Sequence, residues 1–163
     1  MADSGTIFLG MSVGFFGSTQ SIAMVLYRGS MAYFNYVNAQ GGIKGQRIAI
    51  RARNDSYDPD PALASTIACT RNEYVLCLFD YAGISTVTRL VPHLKAFSQD
   101  QICLFFPFSR PQPQRKLPYM HYVYNLRASH HQETNHQGGD GVVFVTVRDG
   151  HVISVGDWSA FEQ

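Results

Sequence analysis

Several things are scarce in this sequence, and each shortage removes a class of protein. Charge of one sign is missing: 13 Lys and Arg stand against 12 Asp and Glu, a formal net charge of +1. The chain therefore has no electrostatic footprint for nucleic acid or another polyanion. No apolar run approaches the roughly 20 residues a bilayer-spanning helix needs, so a membrane-spanning chain is not expected. Cysteine is rare, and Cys69, Cys77 and Cys103 have no metal-ligand spacing. An odd count does not complete a disulfide framework, and Cys77 and Cys103 fall in apolar strand runs, where a thiol behaves as a small buried hydrophobe. There is no Gly-Lys-Ser/Thr phosphate motif, no HExxH and no GxSxG. Ser85 and Ser109 have no sequence-local base, so no catalytic residue, metal ligand or cofactor is assigned. No signal peptide is read before Thr6, which gives a cytoplasmic location as the expectation for this chain expressed by itself.

What is present is organised around Phe34–Ile50, FNYVNAQGGIKGQRIAI. Apolar residues at helical spacing from Ile22 to Val37 end at Asn38-Ala39-Gln40. Gly41-Gly42 stop the helix, because glycine takes the left-handed C′ conformation at no Cβ penalty. Ile48 and Ile50 then alternate with Arg47, Ala49 and Arg51, a switch from period 3.6 to period two. Around this half of a βαβ unit lie further strands at 6–12, 74–79, 101–105 and 121–124. Helices are expected over 21–38, 58–71 and 86–97. Gly29 in the first is expected to let that helix approach the sheet. Asp58-Pro59 reads as an N-cap followed by proline at the first helical position. Leu63 and Ile67 are expected on the buried face of the second helix. Pro92 is expected to weaken or kink the third. The unbroken run YVLCLF at 74–79 predicts a central strand covered on both faces, with Cys77 buried.

Strands alternating with helices define the fold class as α/β, a three-layer α/β/α, flavodoxin-like parallel sheet of order 2-1-3-4-5. Ligands of such sheets bind beyond the strand carboxyl ends, which directs attention to the loops at 13–20, 54–58, 80–86 and 106–117. The 14–19 loop, Gly14-Phe15-Phe16-Gly17-Ser18-Thr19, suits either a plain turn and cap or an anion site. Asp55 and Asp58 read as a solvated loop and a cap. After Leu126 the pattern changes. Residues 128–141 form a polar linker whose His130, His131, Glu133 and His136 read as a flexible loop rather than a metal site. Residues 142–155 form a C-terminal β-hairpin around Asp149-Gly150, packing on the lobe, where it can close a sheet edge, or on a partner.

Three segments carry a resemblance: YRGSMAYFNYVNAQGGIKGQRI (27–48), NDSYDPDPALA (54–64) and YVYNLRAS (122–129). Their order and spacing resemble the first lobe of type I periplasmic ligand-binding proteins, the branched-chain amino-acid-binding class of ABC-transporter receptors. The resemblance covers 6–127, and 135–155 resembles the extreme C-terminus of the same family. Family members have two lobes that clamp the ligand. Here YNLRASHHQET runs straight into NHQGGDG, so the resemblance implies a single lobe whose second lobe is internally deleted, by natural truncation or engineering. It implies a periplasmic location for the parent family, a non-enzymatic role, and an amino-acid-like small-molecule ligand bound weakly or no longer.

By the same resemblance, hydroxyls and amides of the strand-end loops take the ligand's carboxylate and amine. Ser85, Thr86 and Ser109 keep that chemistry, whereas Phe16, Ile84, Phe106 and Arg110 depart from it. The ligand-binding set is accordingly Ser85, Thr86, Ser109, Gly83, Phe16 and Phe108. Phe16, Ile84, Phe106 and Phe108 also place apolar bulk on the face a second lobe covers, and this predicts a homodimer. Two other readings stay open: a flavodoxin-like or phosphate-binding domain using the 14–19 loop, and an interaction scaffold without a ligand.

Overall fold

The computed structural model describes residues 5–97, 102–111, 113–126, 144–148 and 151–155. The linker histidines, Glu133 and the Asp149-Gly150 turn lie outside the described residues. In chain order the elements are β1 (Thr6–Val13), α1 (Gln20–Ala39), β2 (Arg47–Asn54), α2 (Pro59–Arg71), β3 (Cys77–Phe79), α3 (Ile84–Phe97), β4 (Leu104–Phe105) and β5 (Val123–Tyr124), then β6 (Phe144–Arg148) and β7 (His151–Val155). Two 3-10 turns, Pro113–Arg115 and Tyr119–His121, fill the proline-rich excursion before β5. The first five strands form one parallel sheet of order β2-β1-β3-β4-β5. Its register sets Ile7 against Ile48, Leu9 against Cys77 and Leu104 against Val123. This is the flavodoxin-like α/β architecture read from the sequence. β6 and β7 pair antiparallel, Phe144 with Val155, as a separate two-stranded sheet rather than as an extension of the five-stranded one.

The central turn shows why its residues are needed. The Gly41 and Gly42 amides donate back to Asn38 O and Val37 O at 3.2 and 3.0 Å, closing the end of α1. Ile43 and Gln46 then exchange two backbone bonds of 2.8 and 2.9 Å across Lys44 and Gly45, which both have positive φ (51° and 82°). That is the type I′ geometry of a tight hairpin. The Asn38 side chain reaches past it: its amide donates to Ile48 O and its carbonyl accepts from Ile48 N, both at 2.8 Å. One side chain thus satisfies a donor and an acceptor on the outer edge of β2.

α2 and α3 cover one face of the sheet, where Leu78, Leu104 and Val123 pack with Val87, Leu90 and Leu94. α1 covers the other face over β2 and the carboxyl-terminal half of β1, around Met11, Val13 and Ala23. α2 lies close because its buried residues are Ala62, Ser65, Thr66 and Cys69 rather than the expected Leu63 and Ile67. A Cβ on Gly10 would sit 3.1 Å from that of Cys69, leaving no room for larger groups. α3 runs continuously through Pro92.

Residues 74–79 differ from expectation. Only Cys77–Phe79 is strand, Tyr74 and Leu76 are 85% and 65% exposed, and Cys77 and Cys103 are half-buried while Cys69 is the buried thiol. An unbroken apolar run signals cover on both faces only where both helical layers extend over it. Here α1 stops short, and among the described residues no second helix covers the α1 side of β3, β4 and β5. Gly29 also departs from expectation: it faces away from the sheet, with nothing within 4 Å of where its Cβ would be.

Candidate functional site

A cleft of about 280 Å³ opens at the carboxyl end of the sheet, lined by Thr19 and Ile22 of the β1–α1 junction, Tyr57, the Ala82-Gly83-Ile84 turn and Phe108-Ser109-Arg110. Its walls are tied together by backbone. Phe108 N donates to Tyr81 O at 2.8 Å and Gly83 N to Phe108 O at 3.3 Å, so the loops after β3 and β4 form one continuous rim. Gly83 has φ of 116°, and a Cβ there would run into the Tyr57 ring and the Thr86 hydroxyl. Only glycine permits this approach. Ser56, Tyr57, Asp80 and Phe106, all just beyond strand ends, also take positive φ. Such strain gathers where surroundings hold a site in a set geometry.

Two hydroxyls in the lining have no partner. Thr19 Oγ1 and Ser109 Oγ are both shielded from solvent and make no hydrogen bond within the protein. Thr19 holds the N-cap position of α1, yet its side chain does not cap the helix. Buried polar atoms without partners are uncommon and call for an explanation. Here both border the same cleft, where a ligand atom can satisfy them. Ser109 is fixed from behind: its carbonyl accepts from Gln114 Nε2 at 3.3 Å, and Gln114 also donates to Asn125 Oδ1 at 2.8 Å. α3 begins at Ile84 beside the cleft, so its first-turn amides, which lack intrahelical partners, add donors and a partial positive charge. Arg110 contributes a full cation.

Of the residues singled out from the sequence, Gly83, Phe108 and Ser109 line the cleft together with Ile84. Thr86 lies behind it, buried, its hydroxyl donating to Ala82 O at 2.8 Å. Ser85 and Phe16 are exposed and outside the lining, Phe16 at 66%. Phe106 is not at the strand-end face: its ring stands 6.3 Å from Phe79 and 5.7 Å from Phe105, on the open side of the sheet. Phe108 is half-buried against the Met11 and Val13 cluster. Asp55, expected in a solvated loop, is buried and accepts from Ser12 Oγ and Tyr57 N at 2.8 Å each. Burial pushes its carboxyl up and these bonds oppose the shift. Asp58 does cap α2, accepting from Asp60 N at 3.1 Å. In the 14–19 loop, Phe15 N is occupied by Asn54 Oδ1 at 2.8 Å, and Gly17 O accepts from Gln20 N at the start of α1 at 3.2 Å. Among the described residues, no three His, Cys, Asp or Glu side chains gather as a metal site. Sequence reasoning does not single out Tyr57 or Gln114, and it reads Thr19 only as part of a turn and cap or of an anion loop. A hydroxyl at a strand–helix junction looks like a cap, and only the structure shows that it caps nothing.

A parallel sheet of this order with a polar-headed, apolar-sided cleft at its strand ends has the architecture of a flavodoxin-like α/β lobe. The chain belongs to the periplasmic binding protein family, whose model matches residues 6–151. This is a family of substrate-binding proteins, not of enzymes, and it is periplasmic. No curated protein matches the chain. Among solved structures, the chain is similar to a possible leucine/isoleucine/valine-binding protein from Rhodopirellula baltica SH 1, with 22% identity and TM-score 0.70 over 80% of this chain and 34% of that one. It is also similar to the branched-chain amino acid transporter substrate-binding protein LivJ from Streptococcus pneumoniae, in complex with isoleucine, with 18% identity and TM-score 0.65 over 74% and 33% of the two chains. A fatty acid ABC transporter substrate-binding protein from Thermomonospora curvata follows at 24% identity and TM-score 0.56, over 65% and 26%. The chain thus spans about a third of the length of the first solved relatives. No helix among the described residues is long and apolar enough to cross a membrane.

Proposed function

We propose that this chain is a non-enzymatic binding lobe for a small carboxylate with an apolar side chain, an aliphatic amino acid first of all. The observation that carries the proposal is the pair of unpartnered buried hydroxyls, Thr19 Oγ1 and Ser109 Oγ, bordering one cleft. The carboxylate takes these hydroxyls, the first amides of α3 and Arg110. The aliphatic part lies against Ile22, Ile84 and Phe108. The ligands named for these relatives, leucine/isoleucine/valine, isoleucine and fatty acid, share an apolar-tailed carboxylate.

Binding is weak in this reading. Good small-molecule sites bury most of the ligand, and a cleft closed by one lobe leaves much of it wet. The second lobe is proposed to be lost internally between 122–129 and 135–155, by truncation or engineering, and a second copy of the chain is proposed as the macromolecular partner. Isothermal titration with isoleucine, leucine and valine tests the ligand part. We expect a millimolar dissociation constant that Ser109→Ala raises by about fivefold, a lost hydrogen bond being worth about 1 kcal/mol. Micromolar binding by the wild-type chain, or millimolar binding indifferent to Ser109→Ala and Thr19→Ala, would overturn it.

A further inference from the structure

The open side of the sheet is a built surface. A trough of about 540 Å³ runs beside α1, and every residue that lines it is apolar or a thiol. Its floor includes Leu9, Cys77, Phe79, Cys103 and Phe105, and Phe34 of α1 forms part of its wall, 5.5 Å from Phe79 between ring centres. Next to it α1 carries a second apolar surface. Ile22, Val25, Ala32, Tyr33 and Tyr36 fall within about one quadrant of the helix at 100° per residue. Val25, Tyr33 and Tyr36 are 72%, 64% and 61% exposed. The two surfaces join at Tyr33, whose ring lies 6.3 Å from that of Phe34. The 20 residues of α1 contain a single charge, Arg28. The helix's exposed polar residues Ser21, Arg28 and Asn35 fall on a separate arc, so the apolar stripe is a distinct surface that no described residue covers. Gly29 sits within the exposed stripe with open space around it. An interior helix glycine costs stability, and no described residue packs against this one.

We infer that this trough and stripe are an interface between two copies of the chain, with α1 of each copy lying across β3, β4 and β5 of the other. The inference rests on the self-association proposed for this lobe and assigns its surface.

The geometry closes. α1 lies over the β2–β1 half of the sheet and the trough over the β3–β5 half. A two-fold axis parallel to the strands, between two facing sheets, exchanges left and right. Each α1 then occupies the other copy's trough, and both helices share one middle layer, with the Gly29 stripes adjacent at the axis. The contact is self-complementary, as a two-fold interface requires. The exposed stripe, the trough floor and Leu76, 65% exposed, supply on the order of the 800 Å² per partner buried by a standard interface. Neither surface brings a carboxylate or a lysine that would have to be desolvated.

Light scattering during size exclusion of the full chain at tens of micromolar tests this. The wild type is expected to run at twice the monomer mass. Val25→Lys on the stripe and Leu76→Lys in the trough are each expected to raise the dimer dissociation constant at least about a hundredfold, since each buries an unpaired charge. Both keep the wild-type circular dichroism, because both sites are exposed within one copy; Tyr36→Lys replaces any variant that does not. Phe16→Ser and Ile84→Ser, at the strand ends, leave the dimer intact. A monomeric wild type would overturn both the interface and the self-association. A dimer that resists the lysine variants but falls apart with Phe16→Ser or Ile84→Ser would overturn this interface while leaving self-association standing. Neither result bears on ligand binding, which the titration decides by itself.

Discussion

Asp80 is the residue at which burial and charge conflict most sharply. It follows β3 in a left-handed conformation, φ 54°, and only 8% of it is exposed. Its carboxylate accepts from Ser30 Oγ at 3.3 Å, while its backbone N–H donates to Phe105 O at 2.9 Å. Burial pushes its carboxyl up to about 6, with the serine bond working against the shift. The folded state therefore binds the proton more tightly than the unfolded chain. Stability is highest below pH 4 as far as this group is concerned, falls as the pH rises through 6, and is flat above it. Asp80→Asn keeps the shape and removes the ionisation. At pH 7 it should stabilise the fold by about 2 kcal/mol, and the difference from wild type should vanish near pH 4; urea titrations at both pH values check this. Gly83→Ala should act in the opposite direction. The added methyl collides with Tyr57 at an unfavourable φ, costing about 1–3 kcal/mol and displacing the cleft rim, read as a lower melting temperature together with lost isoleucine binding. Neither behaviour was legible in the sequence. From the sequence, Asp80 is only the first residue of the 80–86 loop, and nothing in it shows the Tyr57 ring pressed against Gly83.

Elements were far more legible than residues, and the boundary between the two is physical. The helix ending at Asn38 and Gly41-Gly42, the Asp58-Pro59 start of α2 and the sheet order all follow from local backbone preferences and connection rules, which the sequence displays directly. The faces of β3 and α2 do not follow in the same way, because burial depends on which neighbour is present. YVLCLF is written as if covered twice, and the described residues cover it once. Leu63 and Ile67 look like the core side of α2, but Gly10 beneath Cys69 lets the small residues turn inward instead. Asn38 shows what an element boundary does for its neighbour. β2 is an edge strand of eight residues, and unpaired edges invite other strands. Asn38→Ala would free the Ile48 donor and acceptor at once. We expect destabilisation of about 1–3 kcal/mol, two hydrogen bonds being lost, and faster light-scattering growth on heating than for Asn38→Asp, which keeps the acceptor.

At the scale of the whole molecule, the sheet divides the chain unequally. On one side two helices and an unbroken cluster from Val75 to Val123 close the core. On the other, a 20-residue helix has Ala23 as its one buried residue. Cooperative units of different depth open separately. Amide hydrogen exchange would read this asymmetry: in an isolated copy, the backbone amides of α1 should exchange with solvent before those of α3 and of the β1–β3 pairing, although α1 is the longest element of the lobe. In the two-copy arrangement the order should reverse for the Val25–Tyr36 stretch, whose protection would then depend on protein concentration. A long helix that borrows its cover from a neighbour serves as a gauge of how many neighbours there are.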